Sequence, residues 1–201
     1  MTLSSSRGND TRTAILSHSL ELFSENGYDA TSVAEICHGA QISKGAFYYH
    51  FPSKQDLFLA LMTSWLDGVD GLFQAAGESA LNVPEALENM AVISGGIFED
   101  LQGGFPILLE FWRQASRKPA IWERAVAPYR RYLDFFAGII QSGIKEGAFD
   151  QGLDSEQAAR ILMAVAMGLL LQASFDPDGA DWQAVTRSGI GMILTGMRRI
   201  T

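Results

Sequence analysis

The chain lacks residues on which several classes of protein depend. It has one cysteine, Cys37, so no disulfide can form within it, and a cytoplasmic location is expected. Its three histidines are scattered and show no metal-ligand spacing. The first ten residues have no apolar core of the kind found in export signals. The longest apolar run, residues 161–171, is shorter than the roughly 20 residues that cross a bilayer, so we expect no membrane association.

Catalytic motifs are also scarce. Cys37 and His38 are adjacent on a predicted helix, so their side chains point about 100° apart and cannot act directly as nucleophile and base. Residues 39–44 do not have the order of a P-loop, and Gly189 and Gly191 lack the third glycine of a dinucleotide motif. A catalytic carboxylate pair among Glu99, Asp100 and Glu110 is an alternative, although surface carboxylates are common. We expect no enzyme activity and no cofactor.

Positive charge is sparse as well. The chain has 15 Lys and Arg against 23 Asp and Glu, a formal net charge of −8. Residues 1–56 hold four basic and six acidic side chains. General electrostatic attraction to DNA would therefore be weak, and any DNA binding would depend on local contacts and on dimerisation.

Helix signals dominate the 201 residues, and no alternating stretch requires a strand. The sequence therefore predicts an all-α protein of about nine helices, in which a small module precedes an antiparallel helical bundle. On the bundle, Phe105, Leu108, Leu109 and Trp112 follow a helical period, which predicts that they share a buried face. Helix starts are predicted at Ser53, Pro84, Pro119, Asp154 or Ser155, and Asp181.

Residues 31–54 form the most informative segment. Ser32 and Glu35 have the spacing of a capping box and open a short helix. After a turn near residues 39–42, Ser43 caps a second short helix on which Phe47 and Phe51 share a face. Two short helices joined by a tight turn indicate a helix-turn-helix, whose second helix enters the DNA major groove.

The polar side chains of this segment are of the types that contact phosphate. An alternative is a helical hairpin with a few exposed tyrosines. The residues predicted to contact DNA on these grounds are Thr31, Ser32, Ser43, Lys44, Tyr48, Tyr49, His50 and Lys54.

The stretch from Thr11 to Leu57 resembles the N-terminal domain of the tetracycline-repressor (TetR) family of bacterial transcription regulators. The resemblance implies that Gly45 also belongs to the DNA-binding set. It divides the chain into a helix-turn-helix domain over residues 10–56 and a ligand-binding and dimerisation domain over residues 57–201, while residues 1–9 read as a flexible arm. It rests on Ile15, Leu16, Leu22, Phe23, Gly27, Tyr28, Thr31, Ile36, Ile42, Ser43, Lys44, Gly45, Phe47, Tyr48, Tyr49, His50, Phe51, Ser53 and Lys54.

The turn departs from the family pattern. Gln41 stands where the family usually has glycine and where a left-handed backbone is often needed. Either Gly39 forms the turn, or Gln41 adopts the left-handed conformation at a cost of about 1 kcal/mol. Both outcomes can affect the orientation of the recognition helix.

The last two helices indicate a homodimer. Residues 161–171 are apolar on all sides, so a helix there must be covered on both sides, and one side needs a partner. Glycines in the final helix would permit close helix packing. A buried helix in a monomeric bundle is the alternative. The predicted interface residues are Leu162, Val165, Leu169, Trp182, Gly189, Ile193 and Gly196.

Aromatic residues are concentrated between residues 98 and 136, which fits an apolar small-molecule site, although such residues more often form only a core. The predicted ligand-binding residues are Phe98, Phe105, Phe111, Trp112, Trp122, Tyr129, Phe136, Met163 and Met167.

The resemblance implies a homodimeric repressor that leaves a palindromic, double-stranded operator when an apolar or amphipathic effector binds. Two alternatives are a helical ligand-binding protein without operator function and a small α-helical enzyme.

Overall fold

The computed structural model describes residues 3–100 and 104–198, with side chains described for residues 10–94 and 107–198. Within these ranges the chain forms nine α-helices and no strand, which confirms the all-α prediction. The helices are α1 (Leu3–Asn26), α2 (Val33–Gly39), α3 (Lys44–His50), α4 (Lys54–Glu78), α5 (Val83–Asp100), α6 (Gly104–Ala115), α7 (Pro119–Lys145), α8 (Ser155–Phe175) and α9 (Trp182–Met197).

Helix α1 begins earlier than the sequence indicated. It starts at Leu3, within the segment predicted to be a flexible arm. No proline interrupts residues 3–10, and Gly8 weakens a helix by only about 1 kcal/mol, so nothing local stops the helix from extending towards the N-terminus.

The chain divides into two compact units that do not follow a single cut at residue 56. Unit 1 comprises residues 1–66 and 106–125, and unit 2 comprises residues 67–105 and 126–201. Most of α6 therefore belongs with the N-terminal helices. The predicted boundary missed this arrangement because the contacts of α6 with the N-terminal segment join residues about 80 positions apart.

Phe111 of α6 lies in the core of unit 1. Its side chain is fully buried, and its ring stacks on Phe58 with centroids 4.4 Å apart. Tyr28 meets the same ring edge-on at 5.5 Å and packs against Phe23 at 5.3 Å. These aromatic contacts join α1, α4 and α6, and aromatic pairs of this kind contribute about 0.5–1.5 kcal/mol beyond their burial.

The buried face of α6 differs from the predicted one. Ile107, Phe111 and Ala115 are buried, whereas Leu109 is 39% exposed and Leu108 only partly buried. The predicted face was rotated because the sequence pattern allowed two overlapping apolar stripes. The side chain of Phe105, which belonged to the predicted stripe, lies outside the described residues.

In unit 2, α5 packs against α9, and α8 packs against α9. Phe73 forms an aromatic cluster with Tyr132 and Phe136, with ring centroids 6.1 and 5.8 Å away. At its edge Asp70 accepts a hydrogen bond from the Tyr132 hydroxyl at 2.6 Å and pairs with Arg131 at 2.8 Å. Burial is the main cause of the raised pKa of Tyr132, and Asp70 adds to it.

One glycine of unit 2 allows a close approach. A Cβ at Gly143 would lie 2.6 Å from the ring of Phe149 and 2.9 Å from Val83. Gly143 lies near the end of α7, which runs to Lys145. Because glycine has no Cβ, the side chains of Phe149 and Val83 can pack directly against the helix backbone there.

Candidate nucleic-acid interface

Helix α2 begins with the predicted capping box. The Ser32 hydroxyl accepts a hydrogen bond from the Glu35 amide at 3.2 Å, and the Glu35 carboxylate accepts one from the Ser32 amide at 2.7 Å. These hydrogen bonds hold the pKa of Glu35 below its usual value. Ile36 and Cys37 are buried behind them, so a short helix is fixed at its start and along one face.

The turn between α2 and α3 uses Gln41. This residue has φ +54°, the single positive φ of a non-glycine residue in the described part of the chain. The Ile42 amide donates to the Cys37 carbonyl at 2.9 Å and closes the turn. Gln41 therefore adopts the left-handed conformation that a glycine would take with less strain.

Helix α3 has one buried and one exposed side. Ser43 caps it by accepting a hydrogen bond from the Ala46 amide at 3.1 Å, and Phe47 is fully buried. On the other side Tyr48 is 52% exposed and Tyr49 is 85% exposed. The short helix is thus anchored through Phe47, while its tyrosines point into solvent.

Lys44 and Gly45 extend this exposed side, and His50, at the end of the helix, is partly exposed. A Cβ added at Gly45 would meet only the Ser43 hydroxyl, at 3.7 Å, which is an ordinary contact. The fold therefore does not need a glycine there, whereas close approach of a DNA backbone would benefit from one. We call the surface formed by Ser32, Ser43, Lys44, Gly45, Tyr48, Tyr49 and His50 the reading face.

Thr31 and Lys54, both predicted to contact DNA, are placed differently. Thr31 is 1% exposed, and its hydroxyl donates to the Gly27 carbonyl at 2.8 Å and lies 3.1 Å from the Leu22 carbonyl. It joins the end of α1 to the start of α2. Thr31 therefore has a structural role, because a buried hydroxyl needs its partner inside the protein.

The Lys54 ammonium is also turned inward. Its Nζ donates to the carbonyls of Tyr28 and Thr31 at 2.7 and 2.8 Å, and lies 4.4 Å from the centre of the Tyr28 ring. Burial lowers its pKa, and the Asp29 and Glu110 carboxylates oppose that effect. A lysine has three donors, and these contacts leave little for a phosphate. The predicted phosphate contact by Lys54 is replaced by stabilisation of the α1–α2 connection.

A carboxylate from α6, Glu110, also holds the connection between α1 and α2. The two oxygens of Glu110 accept hydrogen bonds from the amides of Tyr28 and Asp29, both at 2.9 Å, and Arg113 pairs with Asp29 at 2.6 Å. Gly27, at φ +82°, precedes these amides, and a Cβ there would lie 3.2 Å from Glu110. We call this arrangement the Glu110 latch.

Glu110 and Arg113 lie within the aromatic-rich stretch that the sequence assigned to a small-molecule site, and no local signal linked them to residues 28 and 29. In the structure both serve the helix-turn-helix unit. The predicted ligand-binding aromatics divide in the same way. Phe111, Trp112 and Trp122 belong to the core of unit 1, whereas Tyr129, Phe136, Met163 and Met167 belong to unit 2. The side chains of Phe98 and Phe105 lie outside the described residues.

The predicted dimer residues also divide. Leu162 and Leu169 are buried within the chain, and Gly189 lies against Val165, with 3.7 Å from its virtual Cβ to Val165 Cγ1. The strongly exposed apolar side chains of α8 and α9 are instead Ile161, Phe175 and Met192, at 56%, 76% and 69%. The structure buries Leu162 and Leu169 within the protomer, which the sequence did not show because a helix that is apolar all round does not reveal which side faces its own core. Trp182 and Ile193 are partly buried, and Gly196 is exposed.

No cluster of metal-binding side chains occurs among the described residues. In that same part of the chain one helix, α8, is long and apolar enough by length and composition to cross a membrane, a test that the core helix of a soluble protein also passes.

The capped α2, the tight turn and the solvent-facing α3 define a helix-turn-helix DNA-binding protein. Residues 15–61 match the family model of bacterial regulatory proteins of the TetR family, and residues 106–194 match that of the C-terminal part of BetI-type transcriptional repressors. The chain belongs to the TetR family and is a DNA-binding transcriptional regulator.

Two known regulators are similar in sequence to this protein over most of the chain. The HTH-type transcriptional regulator UidR of Escherichia coli is 26% identical over 187 residues, which cover 92% of this chain and 93% of that protein. The HTH-type transcriptional repressor KstR2 of Rhodococcus jostii is 26% identical over 157 residues, or 77% and 76% of the two chains. Both relatives are named as transcriptional regulators.

The fold is shared with solved structures. FadR of Bacillus subtilis, a transcriptional regulator solved in complex with stearoyl-CoA, superimposes with a TM-score of 0.75 at 20% identity, covering 92% of this chain and 99% of that chain. The ketosteroid transcriptional regulator KstR2 of Mycobacterium tuberculosis gives a TM-score of 0.68 at 23% identity, covering 94% and 95%. At these identities the likeness concerns the fold alone.

The two lysines of the segment should behave differently when replaced. Lys54→Ala removes hydrogen bonds from a partly buried ammonium, so we expect the free energy of unfolding to fall by about 2 kcal/mol. Lys44→Ala should leave stability unchanged, weaken DNA binding and make its salt dependence shallower by about one unit of slope. Thermal denaturation and DNA titrations over a salt series measure both. If the Lys54→Ala protein were as stable as the wild type and its DNA binding had a shallower salt slope, Lys54 would contact phosphate and the structural role given to it would be wrong.

Proposed function

We propose that this protein is a homodimeric repressor that binds a palindromic operator through two reading faces and is released by an apolar or amphipathic small molecule. The observation that supports DNA reading best is the exposed side of α3. Tyr49 is 85% exposed and the fold does not need a glycine at position 45, so these two positions suit a role outside the packing of the domain. Groove binding supplies one, because DNA backbones are contacted by tyrosine, lysine and serine side chains.

Because general electrostatic attraction to DNA is weak, tight binding requires a dimer. With a net charge of −8, one reading face alone gains little from general electrostatics. Two identical faces related by a two-fold axis would double the contacts and require an inverted repeat in the DNA. Such a regulator acts in the cytoplasm, where the bacterial chromosome is accessible.

We infer that the partner protomer covers the outer sides of α8 and α9. Only 22% of the most apolar window of α8 is buried within the chain. Ile161 and Met192 are exposed, and the Cβ positions of Gly191 and Gly196 meet no atom within 4 Å, so a second helix can approach. Exposed apolar helix faces of this kind mark interaction surfaces.

Unit 2 is where we propose that the effector binds. Its aromatic cluster and the partly buried Tyr129, Met163 and Met167 supply apolar surface, and the pair of Asp70 and Arg131 supplies polar groups. The names of two structural relatives mention stearoyl-CoA and ketosteroid, which supports an apolar or amphipathic effector for this protein. Release requires that the effector bind the DNA-free conformation more tightly than the DNA-bound one.

Selection of bound sequences from a random duplex library tests the DNA-reading proposal. We expect the wild type to enrich an inverted repeat. Gly45→Ala, which adds a methyl group to the reading face, should weaken binding to that repeat at least about tenfold. Gly71→Ala is the matched control, since it adds a methyl group to a helical glycine with open space around it and should bind as the wild type does. Failure of the folded wild type to enrich any sequence would overturn the proposal.

Replacing an exposed methionine tests the dimer. Met192→Lys places a charge on the proposed interface without disturbing the protomer, because Met192 is 69% exposed. We expect the dimer dissociation constant to rise at least about tenfold, measured by analytical ultracentrifugation. Leu81→Lys is the matched control, since Leu81 is 90% exposed but lies between α4 and α5. Equal effects of the two substitutions, or none from Met192→Lys, would contradict the assignment.

A further inference from the structure

A small basic pocket lies within unit 1, away from the residues of the reading face. Its volume is about 240 Å³, and we call it the α6–α7 pocket. Three of the side chains around it are cationic and one is an acid. The pocket is lined by Asp29, Gln55, Arg113, Gln114, Arg117 and Lys118.

The side chains of Arg117 and Lys118 do not take part in the contacts that hold the described part of unit 1 together. Among the described residues, neither side chain makes an ion pair or a hydrogen bond. Elsewhere in unit 1, Arg12 lies over the Phe51 ring and Arg124 pairs with Asp56, while the exposed Lys44 belongs to the reading face. Arg117 and Lys118 therefore offer two cations to one concave site of an acidic protein.

Arg113 is the third cation, and its present partner can be exchanged. It pairs with Asp29 at 2.6 Å, with the two side chains 57% and 39% exposed. Exposed ion pairs of this kind contribute only about 0–1 kcal/mol, so an anion held by three cations competes easily for Arg113. The backbone start of α7, next to Lys118, adds the positive end of a helix dipole.

We propose that the α6–α7 pocket binds the phosphate group of a small anionic ligand, held by Arg113, Arg117 and Lys118 with the Gln55 and Gln114 amides as further donors. Guanidinium groups match phosphate oxygens in a two-pronged geometry. The volume is below the roughly 300–1,000 Å³ of pockets that enclose a whole drug-sized ligand, which suits a single phosphate group. This site goes beyond the proposed apolar effector and does not depend on it.

Occupancy of the pocket would act on the helix-turn-helix unit. Drawing Arg113 to the ligand releases Asp29, whose amide is held by the Glu110 latch. The ligand would thereby change how firmly α6 holds the connection between α1 and α2. A phosphate-bearing molecule could in this way modulate DNA affinity without entering unit 2.

Calorimetric titration of the full-length protein with inorganic phosphate, at constant ionic strength and without DNA, tests the site. We expect saturable binding of one phosphate per chain. Arg117→Gln/Lys118→Gln should weaken it at least about tenfold while leaving the thermal denaturation curve unchanged. Lys145→Gln/Arg160→Gln is the control with the same change in charge at exposed positions of unit 2, and should bind as the wild type does. Absence of saturable binding, or equal loss in both variants, would overturn the proposal.

Two further titrations identify the source of the phosphate group. Glycerol 3-phosphate should bind at least as tightly as inorganic phosphate, and acetate should bind more weakly; equal binding of acetate would contradict a phosphate site. If the pocket instead takes a DNA backbone phosphate, the Arg117→Gln/Lys118→Gln variant will show a salt slope of DNA binding shallower by about two units. That result, together with no binding of free phosphate, would overturn the small-ligand assignment.

Discussion

The helix-turn-helix unit depends on one carboxylate from a distant part of the chain. Glu110 accepts hydrogen bonds from two successive backbone amides, those of Tyr28 and Asp29, at the connection between α1 and α2. Backbone amides at such a connection have no helical partner and must find one. Because the partner comes from α6, the DNA-reading unit is complete only when residues 106–125 are packed against it.

Other contacts converge on the same connection. Lys54 donates to its carbonyls from the start of α4, Thr31 closes it from within, and the Tyr28 ring lies against Phe111. The Glu110 carboxylate thus binds backbone amides and the Lys54 ammonium binds backbone carbonyls, all within residues 28–31. A shift of α6 would therefore move the connection between α1 and α2. Because α2 packs against α3, this contact links α6 physically to the reading face.

Local features of the fold were predictable from the sequence, because each rests on contacts between near neighbours. The Ser32–Glu35 capping box, the Ser43 cap and the buried Phe47 all lie within four residues of their partners. The family resemblance strengthened the helix-turn-helix interpretation and identified Gln41 as the residue at the turn position, where the structure selected one of the two alternatives.

Features that depend on distant contacts were not predictable. Thr31 and Lys54 have the chemistry of phosphate ligands, and only the folded structure shows that they donate to carbonyls of the α1–α2 connection. Phe111 looked like a ligand-pocket aromatic because its partners Phe58 and Tyr28 are remote in the sequence. On α8 the apolar residues surround the helix, so composition could not separate Leu162, which faces the core, from Ile161, which does not.

Amide hydrogen exchange at Tyr28 and Asp29 tests the central role of Glu110 most directly. In the wild type both amides should exchange slowly, and Glu110→Ala should accelerate both at least about tenfold, since hydrogen bonds to charged groups contribute about 1.5–3 kcal/mol. Glu35→Ala is the matched control, because it removes a carboxylate from the nearby Ser32 amide and should leave Tyr28 and Asp29 protected. Unchanged exchange at Tyr28 and Asp29 in Glu110→Ala would contradict the dependence of the DNA-reading unit on α6.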